Sequence, residues 1–103
     1  MAVDTPASSD DASRKAADER ARTADQISIL SAMATVADRP RELVDLISAA
    51  ASKEQASEAV ARHFGFTELQ VGAALSMQVW RFNADTKAQL ADELQELKER
   101  LQT

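Results

Sequence analysis

The fold is decided by residues 52–75, which read SKEQASEAVARHFGFTELQVGAAL. Ser52 with Gln55 fits a capping box, in which two side chains satisfy the free backbone N–H groups at a helix start. Thr67 with Gln70 fits a second capping box in the same stretch. Two helix starts this close together predict two short helices joined by a tight turn.

The turn between these helices is predicted at Gly65, because glycine readily adopts the left-handed conformation that ends many helices. Phe66 precedes the second cap and is placed to pack on Val71 as a hydrophobic staple. The first helix has one apolar face, formed by Ala56, Ala59, Val60 and Phe64. The second helix is predicted to continue along Val71, Leu75, Gln78 and Phe82, with Val79 beside them.

The chain before this stretch predicts one long helix from about Ser13 and a short helix after it. Asp38 is expected to cap the short helix, and Pro40 to stand in its first turn. The short helix has an amphipathic stripe formed by Leu43, Leu46, Ile47 and Ala50. The long helix has apolar residues at alternating spacings of four and three, namely Thr23, Ile27, Leu30, Ala34 and Ala37.

The chain after this stretch predicts a last helix that Asn83 caps. Its leucines have the heptad spacing of a coiled-coil seam, and they are Leu90, Leu94, Leu97 and Leu101. This seam should face Ile27 and Leu30 of the long helix. The predicted fold is therefore all-α: an antiparallel helical hairpin with coiled-coil arms, closed by a compact knot of about three short helices, which we call the globule.

Composition favours one helical domain. The 103 residues include two glycines, two prolines and no tyrosine, whereas helix-forming residues are abundant. Residues 1–12 carry three acidic side chains and no basic one, so we expect a disordered acidic tail there. Residues 13–103 are expected to form the single helical domain. Many of its hydrophobic residues are alanines, and a monomer would therefore have a thin core.

Neither a targeting signal nor a membrane-spanning segment is predicted from the sequence. No apolar run approaches the ~20 residues that cross a bilayer, and the N-terminus has neither the basic start nor the apolar stretch of a signal peptide. A cytoplasmic, bacterial-type protein is the resulting expectation. The net charge of −5 gives no long-range attraction to nucleic acid or to an anionic membrane. The basic residues Arg14, Lys15, Arg20 and Arg22 are interrupted by Asp18 and Glu19.

No catalytic, cofactor-binding or metal-binding residue is predicted. The chain has no cysteine and a single histidine, His63, onto whose helix face the spacing brings no acidic or hydroxyl partner. Two glycines cannot form a glycine-rich phosphate loop. We therefore expect a protein that is not an enzyme and that needs no cofactor.

Residues 61–97 read ARHFGFTELQVGAALSMQVWRFNADTKAQLADELQEL and contain a recognisable pattern. Its residues are Phe64, Gly65, Thr67, Glu68, Gln70, Ala73, Leu75, Met77, Arg81 and Asn83. They resemble a segment of the A subunit of DNA gyrase and topoisomerase IV, where a pattern close to FGLSE-x-QAxAILxMRLxxLT closes the globule at the tip of a long coiled coil. With a looser fit of the earlier helices, the likeness covers about 90 of the 103 residues. The chain departs from the pattern at Gly72, Ala74, Gln78, Trp80 and Asp85.

The resemblance implies a free-standing exit gate (C-gate). In those topoisomerases two copies of the globule meet, hold the subunits together and open to release DNA, whereas a tyrosine elsewhere cuts the DNA. This chain has no tyrosine, so the implied module pairs but cannot cut.

The candidate partner interface consists of Gly72, Val79, Trp80 and Phe82. Trp80 lies on the opposite helix side from Val71 and Leu75, so it either faces outward or packs on the tip of the first arm. A glycine in mid-helix costs stability, which the close approach of another helix at Gly72 would explain.

Two functions remain open. The first is a non-catalytic dimerisation or adaptor protein that forms a homodimer through the globule and leaves its arms for another protein complex. The alternative is a regulator that binds the exit gate of the gyrase or topoisomerase IV A subunit and modulates DNA passage. Direct nucleic-acid binding and membrane binding are not expected.

Overall fold

The computed structural model describes residues 4–77 and 82–102, with side chains from residue 11 onward. The helices of this part are α1 (Asp4–Asp38), α2 (Pro40–Ala49), α3 (Lys53–Phe64), α4 (Glu68–Leu75) and α5 (Ala84–Gln102). No strand occurs in these two ranges, and the all-α class is confirmed. Within the same ranges, no helix combines the length and apolar character that crossing a membrane requires.

Helices α1 and α5 lie side by side and run in opposite directions. The ammonium of Lys87 lies 3.9 Å from the carboxylate of Asp38, so the start of α5 adjoins the end of α1. Farther along, Leu30 and Leu97 border one cleft, and the last turn of α5 adjoins residues 16–23. Coiled-coil packing along these arms stays a prediction.

Burial along the predicted seam is uneven. Leu90 is buried, with 4% of its surface exposed. The other seam residues are only half-buried, and they are Ile27, Leu30, Leu94, Leu97 and Leu101. Two helices cover only one stripe of each other, and a single pair therefore leaves the flanks of its seam open to solvent.

The first turns of α1 extend past the end of α5. The structure has α1 begin at Asp4 rather than near Ser13, so residues 4–12, for which the sequence predicted disorder, are helical. Residues 11–22 are exposed on every side, and local preferences support this part of the helix. Its alanines favour a helix, and acidic residues are favourable at a helix N-terminus. Residues 1–3 lie outside the described part of the chain.

The core of the globule is small. It joins α1 to the three short helices through the core cluster, which comprises Val36, Leu43, Val60, Val71 and Ala74. Phe64 and Phe66 pack against this cluster, with their rings stacked at a centroid distance of 5.1 Å. Of the nine buried hydrophobic residues in the described part, four are alanines. These fully buried residues therefore remove only a small apolar area from water.

Most helix ends follow the sequence. Gly65 has φ 71° and ends α3 in the left-handed region. The hydroxyl of Ser52 accepts from the backbone N–H of Gln55 at 3.2 Å, but the side-chain oxygen of Gln55 accepts from Ala51 instead of Ser52, so this capping box is not closed. The capping box of Thr67 is complete. The side-chain oxygen of Asn83 accepts from a backbone N–H in the first turn of α5 at 2.9 Å.

The start of α2 differs from the prediction. Asp38 is the last residue of α1 rather than the cap of α2, and Arg39 occupies the cap position without a side-chain hydrogen bond. Pro40 is the first helical residue, as expected from its missing N–H and its restricted φ. Because Asp38 reaches Lys87 of α5, its carboxylate connects two helices instead.

Helix α4 ends at Leu75, whereas the sequence predicted one helix as far as Phe82. The hydroxyl of Ser76 donates to the carbonyl of Gly72 at 2.7 Å. The N–H of Met77 bonds three residues back at 3.4 Å, which tightens and closes the last turn. The residues between this turn and Phe82 lie outside the described part, and they are Gln78, Val79, Trp80 and Arg81.

Candidate interaction surface

Gln70 positions α4 on the long helix α1. Its side-chain oxygen accepts from the backbone N–H of Thr67 at 3.0 Å, which completes the capping box. Its side-chain NH2 group donates to the carbonyl of Ser28 in α1 at 3.1 Å. One amide therefore caps α4 and holds it against α1, so the face that α4 turns to solvent is defined.

The outer face of α4 carries Gly72 and Leu69. Leu69 is 47% exposed, and Gly72 follows it by three residues, which places both on the same side of the helix. A Cβ atom at Gly72 would meet nothing within 4 Å. The close helix approach that we inferred from this glycine is therefore not supplied by the described residues, and the space above it is open.

The residues of the predicted partner interface do not share one surface in the described part of the chain. Gly72 is exposed. Phe82 is half-buried and packs against the core cluster. Val79 and Trp80 lie outside the described residues, and the two placements proposed for Trp80 both stay predictions.

Helix α2 adds two exposed apolar side chains that sequence reasoning missed. Ile47 was assigned to the amphipathic stripe, but it is 41% exposed, whereas Leu43 of the same stripe is 5% exposed. Val44 is 57% exposed. Helical periodicity already contained this signal, because Val44 follows Leu43 directly and must point away from the face that Leu43 buries. Ile47 lies at the edge of the stripe and borders an open cleft of about 400 Å³ with Leu75.

His63 has a partner that the sequence did not predict. Its Nε2 atom lies 3.0 Å from a carboxylate oxygen of Glu42, which α2 brings across to α3. The ring of His63 also meets Phe64 edge-on at a centroid distance of 4.9 Å. The side chains of His63 and Glu42 are 44% and 47% exposed. A pair this open to water contributes only ~0–1 kcal/mol, so its geometry is that of a surface contact between two helices.

The described residues contain no group of three or more histidine, aspartate or glutamate side chains that could hold a metal ion. The sites that this part of the chain does offer are open clefts and exposed apolar side chains.

No protein-family model matches the sequence. A search of the curated proteins finds no similar sequence either. The gyrase-like interpretation therefore rests on the residues that carry the pattern.

The double role of Gln70 predicts a specific loss of stability. Gln70→Glu keeps an oxygen that can accept from the N–H of Thr67. It removes the NH2 donor to Ser28, and it places the new carboxylate against the carbonyl oxygen of Ser28, which repels it. We expect the free energy of unfolding to fall by about 1–3 kcal/mol, measured by urea denaturation.

Gln55→Glu is the matched control. Gln55 follows the cap residue of α3 by three positions, as Gln70 follows that of α4, and its side-chain oxygen accepts from the N–H of Ala51 at 3.0 Å. Glutamate serves equally well there, so we expect a change within about 0.5 kcal/mol. Equal losses in the two variants would show that the bond to Ser28 does not hold α4 in place.

Proposed function

We propose that this chain is a non-catalytic dimerisation or adaptor protein, built on a module similar to the exit gate of the gyrase A subunit. The observation that carries the proposal is the apolar surface left open on the globule by Val44, Ile47 and Leu69. In the described part of the chain four of the nine buried hydrophobic residues are alanines, so the core is itself thin. Pairing would remove the exposed apolar side chains from water, which is favourable. A cytoplasmic location belongs to the same proposal.

The pair is a homodimer in which the same surface of each copy meets its counterpart. A stable interface of this kind buries about 1,600 Å² in total. Gly72 supports a place for α4 in it, since a helix without a side chain at this point admits a partner at short distance. The arm formed by α1 and α5 stays available for another protein.

The two glycines of the chain test this proposal with opposite expected signs. The methyl group that Gly72→Ala adds lies in open space in a single copy, and alanine has the higher helix propensity. The free energy of unfolding of the monomer should therefore rise by about 0.5–1 kcal/mol. The added methyl group occupies the proposed contact, and we expect the dimer dissociation constant to rise by about tenfold, roughly 1.4 kcal/mol. Gly65→Ala is the control, because its φ of 71° should cost the monomer about 1–2 kcal/mol without touching the contact.

Light scattering at micromolar concentration measures the association directly. The expected mass is twice 11.2 kDa for the unaltered chain. A mass of 11.2 kDa alone would contradict homotypic pairing. An unchanged dissociation constant for Gly72→Ala would show that α4 is not part of the dimer contact. Capture of the chain by immobilised gyrase A subunit, together with slower supercoiling, would instead support the regulatory alternative.

A further inference from the structure

A cleft of about 340 Å³ lies between the two arm helices. Its lining has an apolar part and a polar part, and the residues are Ile29, Leu30, Leu97, Gln26, Glu93 and Glu96. The three aliphatic side chains are only half-buried in the pairing of α1 with α5. The cleft therefore presents aliphatic surface that the two helices do not cover completely.

The polar part of this cleft is acidic. Glu93 and Glu96 are exposed, and neither forms an ion pair or a hydrogen bond with the residues that the structure describes. No lysine or arginine lines the cleft. Two carboxylates beside an apolar cleft favour a ligand that brings positive charge and an aliphatic side chain together.

The shape of the arm indicates what kind of ligand fits. Two antiparallel helices form a shallow groove along their length, and a third helix packed into such a groove completes a bundle. Helices that bind in grooves insert apolar anchors at i, i+3 and i+4 and place charged residues on either side. Glu93 and Glu96 are themselves one turn apart on α5, and they match basic residues one turn apart on a bound helix.

We propose that this arm groove binds an amphipathic helix of a partner protein, which inserts an aliphatic side chain against Ile29, Leu30 and Leu97. Lysine or arginine residues of that helix lie beside Glu93 and Glu96. The groove is on the arm rather than on the globule, so this inference goes beyond homotypic pairing and assigns a second interaction surface.

The experiment titrates the full chain with a model peptide at physiological salt. The probe is an amphipathic helical peptide of leucine and lysine about 14 residues long, roughly four turns, and its counterpart has glutamate in place of lysine. Calorimetry measures affinity, and NMR shifts locate the contact. We expect the lysine peptide to bind, shifts centred on residues 26–30 and 93–97, and little binding of the glutamate peptide.

Two double variants separate the groove from overall charge. Glu93→Gln with Glu96→Gln removes the proposed partners and should weaken binding by about five- to tenfold. Glu54→Gln with Glu58→Gln changes the net charge equally, from −5 to −3, on exposed residues of α3. We expect that control to change affinity by less than about twofold, since charges beyond a Debye length are screened.

Three outcomes would overturn the proposal. Equal weakening in both double variants would mean that only net charge attracts the peptide. Shifts centred on the globule would place the peptide elsewhere. Shifts in the groove that depend on protein concentration without peptide would make a second copy its occupant. None of these measurements uses the Gly72 variants, so this proposal and homotypic pairing can fail separately.

Discussion

Leu43→Ala lowers the free energy of unfolding by about 2–5 kcal/mol, because it opens a cavity in the core cluster of the globule. Leu43 is 5% exposed and belongs to the core cluster that joins α2 to α1, α3 and α4. Large side chains that pack against that cluster, such as Phe64 and Leu75, would have to shift to close the gap. A small domain has a total stability of about 5–15 kcal/mol, and this single change consumes a large part of it.

Val44→Ala is the control for this result. Val44 is the next residue on the same helix, but it is 57% exposed. We expect its substitution to alter monomer stability by no more than about 0.5 kcal/mol, since surface changes away from special features are small. Urea denaturation at a concentration below dimer formation compares the two. Similar losses in both would mean that α2 packs with another face.

The second large effect is expected at Leu90. Leu90→Ala should cost about 2–5 kcal/mol, because this leucine is the buried member of the α5 seam, 4% exposed. It lies one turn after Lys87, where α5 adjoins the end of α1. The loss should detach α5 from α1, and hydrogen exchange of the α5 amide groups reports that detachment directly.

Leu94→Ala is the matched comparison within the same helix. The heptad pattern treats Leu90 and Leu94 as equivalent, but Leu94 is only half-buried. We expect Leu94→Ala to cost clearly less than Leu90→Ala, since less apolar surface is lost from a buried position. If Leu94 proved the costlier of the two, the arms would be held together along their length rather than near the globule.

These contrasts show where periodicity stops being informative. A heptad pattern states which side of α5 is apolar, but not how much of that side the partner helix covers. Coverage depends on what else packs nearby. Leu90, near the contact of Lys87 with Asp38, is buried, whereas Leu94 and Leu97 farther along the same stripe are only half-buried.

The candidate surface shows the same division. The exposure of Val44 follows from its position beside Leu43, and it was predictable. The exposure of Gly72 was not, because a glycine in mid-helix is compatible with either a close helix contact or an open surface. The approach of Glu42 to His63 also could not be predicted, since the two residues are brought together only when α2 folds back on α3.

Local chemistry by itself determined the helical class and most helix ends. The hydroxyls of Ser52 and Thr67, the amide of Asn83 and the left-handed turn at Gly65 act on groups within a few residues, so their effects are present in the sequence. The tertiary structure decided the burial of Leu90 and the bond from Gln70 to Ser28. The physical reason is range. Capping bonds and helix propensity are local. Burial and long-range hydrogen bonds depend on which helix from elsewhere in the chain packs at that position, and on how closely the two helices pack.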